Sequence, residues 1–112
     1  MTLATGAFQG RSGHTMRGTY SVRLVSGKQV FETSDDFFFD GAPEPGFAIS
    51  ASGVLDHATA VDTDFLRLAP SVSSEGVFTA PLPDGVDITE QTTVFLWCYL
   101  ARALLGEAPV ES

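Results

Sequence analysis

"GTYSVRLVSGKQVFET", residues 18–33, decides the fold. Tyr20, Val22 and Leu24 alternate with Thr19, Ser21 and Arg23, the period of a strand with one buried face. "SGK", residues 26–28, reads as a tight turn, and "QVFET", residues 29–33, as the partner strand. The pair is a β-hairpin.

The same pattern continues along the chain. "SDDFFFDG", residues 34–41, puts Phe37 and Phe39 on one face and Asp36, Phe38 and Asp40 on the other, a short strand suited to an edge. Residues 40–46, "DGAPEPG", are dense in turn formers. "FAISA", residues 47–51, reads as a further strand, residues 52–64 as a long surface loop, and "FLRLA", residues 65–69, as another alternating strand. A loop over residues 71–76 leads to a short strand, "VFTA", residues 77–80. "PLPDGVD", residues 81–87, holds two prolines and a glycine, which bar a helix. Short strands with regular turn signals predict an all-β fold, an antiparallel sandwich or barrel of about seven to nine strands. The 112 residues suit a single domain, with no internal repeat and no linker.

"TTVFLWCYLARALLG", residues 92–106, is the most apolar stretch and holds the only cysteine. Val94, Phe95, Trp97 and Tyr99 favour a strand. Leu100, Ala101, Ala103, Leu104 and Leu105 favour a helix, and Thr89 could cap one. The choice bears on chemistry. On a helix, Arg102 lies about 5–6 Å from Cys98 and stabilises a thiolate. On a strand the two are about 13 Å apart. The all-β context favours a strand over residues 93–99, apolar on both faces and central in its sheet. Cys98 is then a small core hydrophobe between Leu96 and Leu100.

Fourteen carboxylates oppose 6 basic side chains, giving a net charge of -8. With no basic cluster, nucleic-acid binding is disfavoured, because phosphate neutralisation supplies most of that affinity. No apolar run is long enough to span a bilayer, so no membrane insertion is expected. Another protein or domain is the partner class left. One cysteine makes no internal disulfide. Residues 1–12 show no signal-peptide pattern, which makes the cytoplasm the default and export the expectation if a leader was removed.

Several segments together carry a family resemblance: "GHTMRG" (residues 13–18), "FFFDGAPEP" (37–45), "PLPDGVD" before "TTVFLWC", and the closing "LLGEAPV". Their order, from Gly6 to Val110, resembles the DM-13 domain, often labelled an electron-transfer domain. The resemblance implies a β-sandwich, found in extracellular animal and plant proteins beside DOMON domains and b-type membrane cytochromes. It matches the family cysteine to Cys98, its histidine to His14 and its tryptophan to Trp97. Many relatives carry an aromatic residue three positions after the cysteine, where this chain has Ala101.

Cys98, His14 and Trp97 are therefore the candidate redox or ligand residues. His14 could ligate a metal or haem, alone or with Cys98, or hydrogen-bond the turn before Gly18. Two ligands are too few for a closed metal site. Asp35, Asp36, Asp40 and Glu44 could bind a hard cation, but their spacing is not that of an EF-hand; a solvated acidic edge is the plainer reading. Asp56, His57, Asp62 and Asp64 form a second polar cluster of the same kind. No nucleophile elbow, phosphate-binding loop or His-Glu-x-x-His motif occurs, which lowers the case for an enzyme, and no cofactor is required. The leading expectation is a binding or redox-associated accessory module without turnover. The alternatives are a metal- or haem-dependent electron-transfer protein or enzyme using Cys98 and His14, and a purely structural interaction domain.

Overall fold

The computed structural model describes residues 1–11, 13–41, 45–50, 66–69, 75–98, 100 and 103–111. Among these residues are eleven strand segments and a single short 3-10 turn, Ile88–Glu90. The strands are β1 (Thr2–Ala7), β2 (Gln9–Gly10), β3 (Met16–Arg17), β4 (Thr19–Val25), β5 (Lys28–Thr33), β6 (Phe38–Phe39), β7 (Pro45–Ser50), β8 (Leu66–Ala69), β9 (Thr79–Pro81), β10 (Thr93–Cys98) and β11 (Ala103–Pro109). The protein is all-β, as the alternation predicts. The strand count exceeds seven to nine because β2, β3 and β6 are only two residues each.

Among the described residues every strand pairing is antiparallel. Four strands form one sheet in the order β1-β4-β5-β9, five form another in the order β2-β11-β10-β7-β8, and β3 pairs with β6. The predicted hairpin is β4–β5, with Val25 opposite Lys28. Its turn is Ser26–Gly27, shorter than residues 26–28, and both residues have positive φ (51° and 81°). That backbone suits the two-residue turn whose twist matches the flanking strands. Tyr20 and Val22 are buried as expected, whereas Leu24 is 42% exposed near the hairpin tip.

The two large sheets share one core. Ala4, Tyr20, Val22 and Phe31 from the first meet Phe47, Ile49, Val94, Leu96, Cys98, Leu105 and Ala108 from the second. The rings of Phe31 and Phe47 stand 4.9 Å apart across the interface. Aromatic pairs at this spacing add to area burial. The layers are joined at one corner, where Thr5 and Glu111 exchange two backbone hydrogen bonds of 3.0 Å and the Tyr20 hydroxyl donates to the Pro109 carbonyl at 3.1 Å. At another corner β8 and β9 approach each other. The arrangement is a sandwich whose corners are partly closed in the manner of a barrel.

The apolar stretch forms β10, a strand from Thr93 to Cys98, central between β11 and β7 and buried at all six positions. Val94, Leu96 and Cys98 face the shared core, while Phe95 and Trp97 face away. The outward side is buried too: Ala48, Phe95, Trp97 and Leu104 form a second cluster. A bulge lets β11 serve both faces. Leu96 pairs with Gly106 and Trp97 with Leu104, so Leu105 is the extra residue and it enters the shared core.

Other boundaries shift. β7 begins at Pro45, two residues before the expected strand, since a proline at a strand's first position forfeits no ladder bond within it. β9 is Thr79–Pro81, not residues 77–80; Val77 is 56% exposed. The cap of the 3-10 turn is Asp87, whose carboxylate accepts from the Thr89 N–H at 3.0 Å. The expected loop over residues 52–64, together with Phe65, Tyr99, Ala101 and Arg102, lies outside the described residues.

Candidate functional site

The β2–β3 turn carries His14. Gly13 at φ 79° allows the reversal, and the His14 N–H donates to the Arg11 carbonyl at 3.0 Å. Its imidazole packs 5.7 Å from the Phe39 ring, and Nδ1 lies 2.8 Å from Asp40 Oδ1. Because the carboxylate only accepts, Nδ1 carries the proton in this bond. Asp40 Oδ2 accepts from the Thr15 N–H at 2.9 Å, and the Asp40 N–H donates to the Thr15 carbonyl at 3.1 Å. Asp40 sits just beyond β6, so this clasp extends the two-residue β3–β6 ladder. The Thr15 N–H, then the His14 ring, hold the Asp40 carboxyl below its usual range. The sequence reading has His14 bonding the turn before Gly18; the partner is the Asp40 carboxylate instead.

The remaining candidates are dispersed. Cys98 is 1% exposed, inside the shared core. Trp97 is fully buried in the outward cluster, its indole 6.4 Å and edge-on from Phe95. Consecutive residues on a strand point to opposite faces, so the matched Trp and Cys serve different clusters. Asp36 accepts from Ser34 Oγ, which itself accepts from the Thr19 N–H at 2.9 Å; this closes the turn before β6. Asp62 and Asp64, like Glu44, Asp56 and His57, fall outside the described residues. Among the described residues no three His, Cys, Asp or Glu side chains converge as metal ligands, and His14 bonds Asp40.

One pair escaped sequence reasoning. Arg11 Nη2 donates to Glu107 Oε1 at 2.8 Å and to Gln9 Oε1 at 3.1 Å, and the Arg11 N–H donates to the Leu105 carbonyl at 2.8 Å. Glu107 is 9% exposed on the outward side of β11. Partners this far apart in sequence leave no local signal. The β2–β3 turn is thus strapped at both ends, through Arg11 to the five-stranded sheet and through His14 to the end of β6.

The fold and these contacts define a small all-β protein in which Cys98 and Trp97 are buried in separate clusters and His14 pairs with Asp40. No helix among the described residues is long and apolar enough to cross a membrane. The chain matches no family model, no curated protein and no solved structure.

Proposed function

We propose that this protein is an accessory domain of the DM-13 type, a binding or redox-associated module that works by contact with another protein or domain and has no turnover of its own. The observation that carries this reading is the state of its reactive groups. Cys98 is buried at 1% exposure on the inward face of a central strand. His14 spends its Nδ1 on Asp40. A thiol with no access to solvent is a poor nucleophile, and an imidazole held by a carboxylate and a ring is a good structural clasp.

Visible absorption and metal analysis of protein purified from its native source test the proposal. A colourless, metal-free protein is the expected result. A Soret or charge-transfer band would put the other reading first, a metal- or haem-dependent protein using Cys98 and His14.

A further inference from the structure

A cleft of about 500 Å³ opens at one end of the sandwich, between the β4–β5 turn, Leu68 of β8 and the loop from Pro81 to Val86. Its volume lies within the ordinary range for small-ligand sites, and mouths of β structures are a common place for them. Leu68 and Leu82, each 8% exposed, belong to the shared core, so the cleft reaches the apolar interior.

The loop wall is built to hold its shape. Pro81 and Pro83 fix their own φ angles, and the Val86 N–H donates to the Pro83 carbonyl at 3.2 Å. Gln29 staples the segment beyond: its Oε1 accepts from the Ile88 N–H at 2.9 Å and its Nε2 donates to Asp87 Oδ1 at 3.4 Å. The Leu82 N–H donates to the Gln29 carbonyl at 3.0 Å. A preformed wall lowers the ordering cost of binding.

The β4–β5 side of the cleft carries Lys28, the only lysine of the chain. It is exposed, and among the described residues its ammonium makes no ion pair. Asp84 also lines the cleft, which therefore has no net charge before a guest enters. The chain's net charge of -8 repels polyanions. A single carboxylate on an apolar body satisfies both the leucine floor and the lysine. We infer that this cleft binds a small amphipathic monocarboxylate, its hydrocarbon over Leu68 and Leu82 and its carboxylate at Lys28. This site is independent of the proposed accessory role.

Sodium octanoate is the probe, read by amide chemical shifts. Saturable shifts confined to residues 27–29, Leu68 and residues 81–86 are expected. Lys28→Gln should weaken binding about fivefold, typical of an exposed charge contact, and octanamide should bind the unmodified protein correspondingly less well. Octanoate should also shield Lys28 from an amine-acylating reagent. The Lys28→Gln amide spectrum away from the cleft should match the parent, which separates lost binding from lost fold. No saturable shift, shifts centred elsewhere, or equal affinity in Lys28→Gln would overturn the site.

Discussion

A thiol on the inward face of a central strand reacts only when the layers part or that strand leaves its neighbours. Cys98 is in this position, paired through β10 with both β7 and β11. Native protein should therefore react with an aromatic disulfide reagent far more slowly than denatured protein, at a rate set by that opening. Labelling within seconds near neutral pH would remove Cys98 from the core. Cys98→Ala should cost about 1 kcal/mol in chemical denaturation, the loss of one packed heavy atom. Asp40 gives a second residue-scale expectation. Its folded-state carboxyl titrates below the ordinary value of about 3.9, so its contribution is present above that value and is lost as pH falls through the folded one. The difference in thermal midpoint between the protein and Asp40→Asn should therefore shrink on acidification below about pH 4. A difference unchanged down to pH 2 would mean that the clasp does not depend on the ionised carboxylate.

At the scale of elements, the joined corner depends on Gly6 of β1. A Cβ there would stand 2.3 Å from the Pro109 carbonyl oxygen and 2.6 Å from the Tyr20 ring. Gly106 of β11 is also crowded, but its nearest neighbour is the Met16 sulfur at 2.2 Å, on a flexible side chain, and the nearest backbone atom, the Gln9 carbonyl oxygen, is farther off at 3.0 Å. Gly6→Ala should thus cost about 2–3 kcal/mol and Gly106→Ala about 1, since backbone yields less readily than a thioether. Equal losses in denaturant melts would place the corner elsewhere. Both glycines sit in strands that the sequence hid. β1, "TLATGA", has small side chains and a weak pattern. β11, "ALLGEAP", is made of residues that favour helices or turns, and its strand form comes from pairing with β10. Tertiary pairing overrode local propensity there. Where alternation was strong, as at Tyr20 and Val22 or Phe37 and Phe39, the buried face was legible. Of the site, the inward place of Cys98 could be read from β10 itself. The His14–Asp40 and Arg11–Glu107 contacts could not, because they join segments 26 and 96 residues apart.

The whole molecule is organised around a five-stranded sheet whose central strand, β10, is buried on both faces. Net charge works at this scale as well: a value of -8 with no basic cluster predicts no salt-sensitive nucleic-acid binding in a gel shift at micromolar protein. The deeper consequence concerns cooperativity. Trp97 and Cys98 are neighbours on β10 but lie in different clusters, the outward one with Phe95 and the shared core with Leu96. Neither cluster can lose its β10 residues while β10 keeps its pairing to β7 and β11, and the shared core cannot open while the corner bonds of Thr5 and Glu111 persist. Both sides should therefore unfold together. Fluorescence of Trp97, accessibility of Cys98 and far-ultraviolet circular dichroism should give coincident transitions in urea, the signature of a two-state domain. An earlier transition in Trp97 fluorescence alone would mean that the outward cluster melts from an intact sheet. An earlier gain in Cys98 accessibility would mean that the layers part before the strands do. Coincidence of all three would bind the two clusters into one cooperative unit, with β10 as the element they share.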